Sequence, residues 1–335
     1  MSDLLAWGVL STAKIGVEKV IPAMQASQLC RIDALASRDR AAAERAARPL
    51  GIARAYGSYE ELLADPRIEA IYNPLPNHLH VPWTIRALEA GKHVLCEKPI
   101  ALNEAEARQL VAARERTGKL VAEAFMVRHN PQWQRTRELA RSGAIGEVRA
   151  IQTIFSYFLR DPANVRNRAD IGGGGLYDIG CYAIATARYV FGTEPLRVAA
   201  LIERDPNMGI DRLTSALLEF PGGRHLTFSC STQASLHQHV TVLGTTGRIE
   251  VPVPFNPPND RPNRIVIDDG SDLLGGGARA EDFPVADQYA LQGDAFVRAV
   301  RGEAPWEFPI EDAIANTRAI DATFRAAGTA EWVAV

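Results

Sequence analysis

An ammonium, a carboxylate and a phenol are the groups in this 335-residue chain whose setting suggests chemistry on a bound ligand: Lys98, Asp178 and Tyr182. Asp178 and Tyr182 lie four apart in "GGGGLYDIGCY" (172–182), a segment that reads as a helix, so both project from one face. The four glycines ahead of them let the backbone pass close to a ligand and bring the helix start beside it. Taken alone, D-x-x-x-Y reads as a surface pair whose acid the helix dipole favours. Lys98 closes the apolar run "HVLCEK" (93–98), and Pro99 holds it away from helical geometry. The carboxyl end of a parallel strand is where open α/β sheets bind ligands.

The first third of the chain must place Lys98 at such a strand end. Apolar runs at 4–10, 31–37, 69–75, 93–98 and 119–125 alternate with helix-like segments at 14–27, 39–49, 58–65, 78–91 and 103–118. Asn103, with Glu106 three residues on, gives the last helix a capping signal. Near-continuous apolar strands alternating with helices predict an α/β fold: a doubly wound parallel sheet over residues 1–127 that binds a nucleotide.

A dinucleotide fold places G-x-G-x-x-G after its first strand. Here Ser11, Thr12, Ala13, Lys14 and Ile15 precede Gly16, so only the last glycine is kept. Ser and Ala allow a close backbone approach, yet neither takes positive φ as readily as Gly. Alone the segment reads equally as an ordinary strand–turn–helix, while its position, after a strand and opening a helix, supports a pyrophosphate site. At the end of the second strand NAD enzymes carry an acid for the ribose 2′-hydroxyl. This chain has Ser37 and Arg38 there, with Asp39 next. A hydroxyl and a guanidinium suit a 2′-phosphate, which predicts NADP as the cofactor; the alternative is an exposed helix start capped by Ser37 or Asp39.

"YNPLPNHLH" (72–80), "CEKP" (96–99) and "EAFMVRHNPQ" (123–132) end the later strands. Together with "GGGGLYDIGCY" they resemble the Gfo/Idh/MocA oxidoreductase family over nearly the whole chain. The likeness is greatest to the branch of glucose–fructose oxidoreductase, NADP-dependent xylose dehydrogenases, aldose–aldose oxidoreductases and dimeric dihydrodiol dehydrogenases. It implies an N-terminal Rossmann domain for the cofactor. Over 128–335 it implies a substrate-binding and dimerisation domain, α/β with a large, mostly antiparallel open sheet, and an active site between the domains. A homodimer, or a dimer of dimers, would form sheet to sheet.

The resemblance further implies that Lys98 bonds the nicotinamide ribose and reaches the substrate hydroxyl, while Tyr182 gives and takes the proton. A phenol with its ordinary pKa near 10 is a poor base at neutral pH, and a nearby ammonium lowers that value. Asp178 would orient a hydroxyl or the lysine. Asn73, Pro74, Leu75, Asn77 and His80 match the segment along the cofactor. Glu97 would bond the ribose or the adjacent backbone. Arg128 would contact the nicotinamide end or the substrate, or else stabilise the domain junction. Inositol dehydrogenase relatives carry His in place of Tyr182, which favours sugar or dihydrodiol substrates. The implied activity is NADP-dependent oxidation of an aldose at C1 to the lactone, with NADP retained and a second sugar reduced in some relatives. The alternatives are a trans-dihydrodiol dehydrogenase and a non-catalytic NADP-sensing regulator; the regulator is disfavoured because the lysine and tyrosine are both present.

Phe155, Tyr157 and Tyr289 are expected at the sugar pocket, where aromatic faces suit sugar C–H groups, although aromatics in strands are often plain core. "RDPANVRN" (160–167) reads as a substrate loop, whose polar groups could bind sugar hydroxyls, or else as a surface connection. Strands are expected at 147–158, 196–204, 212–220, 224–232, 237–244 and 247–253, with hairpin turns at "PGG" and "GTTG". Proline-rich 251–263 and the stretch 270–282 read as loops. Helices near 286–302 and 310–327 are expected to return to the first domain.

With 47% apolar and 23% charged residues and a net charge of −3, nothing points to nucleic acid or an anionic membrane surface. Four separated cysteines without a CxxC pair fit a reducing compartment. No leader pattern and no run of the roughly 20 apolar residues of a membrane span are seen, so a cytoplasmic enzyme with a small sugar substrate is expected. His78 and His80 offer two ligands without a nearby third, so no metal is expected.

Overall fold

A computed structural model of the chain describes residues 4–329 and 331–335. It divides into two compact units, residues 1–126 with 287–317, and residues 127–286 with 318–335.

The first unit opens with β1 (Leu5–Leu10), a π-helical turn at Gly16–Val20 and α1 (Ile21–Gln25). There follow β2 (Cys30–Ala36), α2 (Arg40–Ala47), β3 (Arg54–Tyr56), α3 (Tyr59–Leu63) and β4 (Ala70–Asn73). Next come α4 (His80–Glu89), β5 (His93–Glu97), α5 (Glu104–Thr117) and β6 (Val121–Ala124). All strand pairs are parallel, in the order β3-β2-β1-β4-β5-β6 of the classic dinucleotide fold. Every residue of β1, β4 and β6 is buried, because helices cover both faces. β3 had no apolar run to reveal it; its three residues are only half-buried. Helix starts follow local chemistry: Asp39 caps Ala41 N at 2.9 Å, and Asn103 caps Glu106 N at 2.9 Å while Glu106 returns a carboxylate oxygen to Leu102 N at 3.2 Å.

The second unit carries α6 (Pro131–Arg141), β7 (Val148–Phe158) and α7 (Cys181–Phe191), then β8 (Arg197–Arg204), β9 (Asp211–Phe220) and β10 (Arg224–Ser231). β11 (Gln233–Gly244), β12 (Arg248–Val251), β13 (Asn263–Asp268) and β14 (Ala278–Phe283) complete the main run. With β15 (Val333–Ala334) the sheet has nine strands in the order β14-β13-β12-β11-β7-β10-β9-β8-β15. Among the described residues of this sheet, only β10 and β7 pair in parallel. "PGG" turns β9 into β10 and "GTTG" turns β11 into β12, as read from the sequence. The expected loop over 270–282 is corrected at its end, where Ala278–Phe283 pairs with β13. This strand is the sheet edge, and its charged, half-exposed residues are what an edge uses to stay unpaired.

The chain then forms α8 (Gln288–Val300) and α9 (Ile310–Ala326). α8 belongs to the first unit, where Phe296 packs on Trp7 of β1 with ring centroids 5.0 Å apart. Ile310, Ala313 and Ile314 of α9 join the core beneath α4 and α5, and the unit boundary falls within α9 at 317/318. Among the described residues no helix is long and apolar enough to cross a membrane.

Candidate active site

In the first unit the expected cofactor residues gather at the carboxyl ends of β1, β2, β4 and β5. Ser11, standing where the fold prefers glycine, takes φ +87°, the one non-glycine positive φ among the described residues. Its hydroxyl accepts Ala13 N at 3.2 Å and reaches Pro74 O at 3.5 Å, so the side chain serves the turn that its backbone makes. The helix has begun by Lys14, with Val17 N donating to Ala13 O at 3.1 Å, and passes into the π-turn after Ile15. Lys14 is exposed and reaches Glu18 at 3.8 Å. Past β2, Ser37 donates its N–H to Tyr56 O at 3.1 Å. Exposed Arg38 stands beside Tyr59, where its charge opposes the rise that burial gives the phenol pKa.

The Lys98 segment is tied on every side. Glu97 accepts the Tyr72 hydroxyl at 2.7 Å and Lys98 N at 3.3 Å. After the cis Lys98–Pro99 peptide, Ile100 N donates to buried Glu123 at 2.7 Å. The His80 ring sits with Nδ1 2.7 Å from Pro99 O and Nε2 2.7 Å from Leu75 O. It thereby links the strand-end segment after β5 to the one after β4. Asn73, fully buried, donates to His80 O and Thr84 Oγ1 at 3.1 Å each and accepts Leu75 N at 3.3 Å. The polar atoms of Asn73 and His80 are thus used by the protein to shape the turn, and Leu75 lies in the core. Tyr289 is a residue of this first unit, where burial and the nearby Glu97 charge raise its pKa.

Carbonyl oxygens only accept, so a neutral His80 ring satisfies one of its two neighbours and only the charged ring satisfies both. Burial opposes the charge and dominates. With Lys98 and His78 adding to it against the two carbonyls, the pKa falls to about 4.

In the second unit the glycine run meets protein where a ligand was expected. A Cβ on Gly173 would lie 2.6 Å from Arg166 O, and one on Gly174 (φ +125°) would lie 1.9 Å from Asp211 Oδ1. Gly173 N and Gly174 N donate to Arg168 O and Arg166 O at 2.9 Å each. Glycine is therefore required by the chain's own packing, and Gly180 adds to this with a Cβ position 2.9 Å from Cys230 Sγ of β10.

The helix also departs from a plain α-turn. Leu176–Gly180 is π-helical and continues into α7, a feature common at functional sites. Asp178 and Tyr182 still face the same strand. Tyr157 donates its hydroxyl to Asp178 Oδ2, and Arg166 Nε donates to Asp178 Oδ1 at 3.0 Å. The Tyr182 ring lies 6.1 Å from Phe155 and 5.3 Å from Phe255, centroid to centroid. Phe155 and Tyr157 alternate along β7 and so share a face, which sets the aromatic wall beside the charged group. Burial, then the Asp178 charge, raises the Tyr157 pKa, which keeps it a phenol that donates to the carboxylate.

Sequence reading missed Phe255, Tyr72, Asp211 and the role of Arg166 inside 160–167. Phe255 is held by its loop: Gln238 accepts Phe255 N at 2.9 Å and Trp133 Nε1 donates to Pro254 O at 2.7 Å. An aromatic within a proline-rich stretch was the one signal available. Arg128 is buried in the second unit, and its carbonyl accepts the Tyr189 hydroxyl at 3.5 Å. Among the described residues no His, Cys, Asp and Glu group has the makings of a metal site.

Residues 5–125 match the oxidoreductase family with an NAD-binding Rossmann fold, and residues 133–250 match the GFO/IDH/MocA C-terminal domain. An uncharacterized oxidoreductase of Rhizobium meliloti is 49% identical over 99% of this chain and 100% of its own. The D-xylose 1-dehydrogenase (NADP(+)) 2 of Haloferax volcanii is 39% identical over 97% of this chain and 98% of its own. The crystal structure of KijD10, a 3-ketoreductase from Actinomadura kijaniata in complex with NADP and TDP-benzene, superposes with a TM-score of 0.90 at 30% identity, over 97% of this chain and 98% of that one.

Acidification is expected to cost stability through His80. Its folded pKa of about 4 lies below the ordinary 6.5, so the unfolded chain binds the proton first. Stability is full above pH 6.5 and falls as pH drops toward 4, by up to ~3 kcal/mol. Urea unfolding from pH 7.5 to 4 checks this: His80→Gln should lose less on acidification than the parent, and equal losses would show that His80 is not a buried neutral ring.

Proposed function

The chain belongs to the Gfo/Idh/MocA oxidoreductase family as an NADP-dependent enzyme of CH–OH groups, and from that premise we propose that it oxidises an aldose at C1 to the lactone. The observation that carries the reading is the surroundings of Tyr182. Phe155 and Phe255, both buried, pack on the Tyr182 ring and hold it, and Asp178, with Tyr157 and Arg166 on its two oxygens, lies on the same helix. The xylose dehydrogenase likeness supports the same substrate class.

The left-handed Ser11 and the helix start after it suit a pyrophosphate, with Thr12, Ala13, Lys14 and Ile15 completing the turn. Ser37 and Arg38 suit the 2′-phosphate. Pro74, Asn77 and Glu97 complete the cofactor contacts, with Asn73, Leu75 and His80 acting through the backbone they hold. When bound, NADP supplies the acceptor for the hydride that leaves C1. Tyr182 takes the hydroxyl proton in the same event, and Lys98 binds the nicotinamide ribose and the substrate hydroxyl. Asp178, fixed by Tyr157 and balanced by Arg166, orients the hydroxyl rather than trading a proton.

We also infer a homodimer through the open face of the nine-stranded sheet. Ile154, Leu201 and Trp332 are 39%, 78% and 40% exposed there, along a groove of about 740 Å³.

Aldoses and trans-dihydrodiols offered separately, with absorbance followed at 340 nm, test the substrate class; turnover of diols alone would overturn the sugar reading. Tyr182→Phe should lower kcat by about 10²- to 10⁴-fold and leave NADP affinity within about twofold. Parent-like turnover would remove Tyr182 from the chemistry. Arg38→Ala should weaken NADP at least ~10-fold more than NAD, and equal weakening would reject its assignment. Leu201→Glu should sediment as a monomer where the parent sediments as a dimer; a monomeric parent would end the dimer proposal.

A further inference from the structure

We propose that Asp211 is a positioning residue whose carboxylate caps, from a distant strand, the helix that presents Asp178 and Tyr182. A helix leaves its first backbone N–H groups without partners, and a Ser, Thr, Asp or Asn just ahead of it ordinarily supplies the acceptor. This helix starts on Gly175, which has no side chain to do so, and no side-chain cap is made there. Asp211 of β9, 35 residues further along the chain, does it instead: its Oδ2 accepts Leu176 N at 2.6 Å and the Thr214 hydroxyl at 3.0 Å. The carboxylate is 1% exposed, so water cannot stand in for either bond.

The glycines and this carboxylate form one device. A Cβ on Gly174 would lie 1.9 Å from Asp211 Oδ1, and one on Gly175 would lie 3.2 Å from Asp211 O. Any residue able to cap the helix locally would displace the distant cap, and the distant cap fits only against glycine. Asp178 follows Leu176 by two positions, and its own N–H closes onto Gly174 O at 3.1 Å. Release of Leu176 would loosen the π-turn and let Asp178 leave Tyr157 and Arg166. The positive end of the helix dipole favours the carboxylate here. Burial opposes it, pushing the Asp211 pKa up to about 6, with Arg204 pulling the other way and Cys230 nearby.

The effect on turnover rests on the activity proposed above, whereas the cap itself does not. The test is hydrogen–deuterium exchange of the full-length chain combined with steady-state kinetics, for Asp211→Ala and Asp211→Asn. Amides at 176–180 should exchange about tenfold or more faster in Asp211→Ala, with the rest of the protein unchanged. Its kcat should fall by a similar factor while KM for NADP holds. Asp211→Asn, which keeps an acceptor oxygen and the volume, should recover much of both. Parent-like exchange at 176–180 in Asp211→Ala would overturn the proposal, as would a loss of protection spread evenly over the protein. If the alanine variant does not fold, Asp211→Ser, whose hydroxyl is too short to reach Leu176 N, takes its place: faster exchange confined to 176–180 supports the cap, and parent-like exchange there overturns it. If the parent oxidises no aldose, the activity reading fails while the exchange result still judges the cap.

Discussion

A buried carboxylate that accepts one backbone N–H fixes each segment on which the proposed chemistry rests. Glu123 takes Ile100 N at 2.7 Å, two residues past Lys98, and Asp211 takes Leu176 N at 2.6 Å, two residues before Asp178. A hydrogen bond to a charged group contributes about 1.5–3 kcal/mol, and a buried charge deprived of its donor costs more than that bond gave. Neither segment can slide by even one residue without stranding its carboxylate.

Around these anchors most polar atoms serve the protein itself. Asn73 and His80 hold the turn after β4 and join it to Pro99, while Tyr72 steadies Glu97. Tyr157 and Arg166 occupy both oxygens of Asp178, which makes that carboxylate a fixed element of the site. Phe155 and Phe255 pack against the Tyr182 ring and restrict it in the same way. Such networks are strong only when every member is satisfied, so substitutions here act on geometry before they act on chemistry.

The sequence made the periodic and local features legible. The alternation of buried strands with helices, the hairpins at "PGG" and "GTTG" and the caps at Asp39 and Asn103 each depend on neighbours within a few residues. β3 and β14 escaped because a three-residue strand and a charged edge carry no apolar pattern. Ser11 escaped for a related reason: its positive φ is stabilised by its own hydroxyl on Ala13 N, which composition does not reveal. The glycine run was read as room for a ligand, and it proved to be room for Asp211 and for the 166–168 backbone. That link spans 35 residues and leaves no spacing rule to read. Phe255 was hidden likewise, since only Gln238 and Trp133, both distant in the chain, set its loop.

The central claim is that Lys98 and Tyr182 serve a single proton-and-hydride event. A double-mutant cycle on kcat/KM for an oxidised aldose, built from Lys98→Met, Tyr182→Phe and their combination, addresses it directly. Groups that act as one unit lose their joint effect once either is removed, so the combined variant should be about as slow as the slower single variant. Losses that multiply in full would mean that the two residues act independently, and would contradict the account.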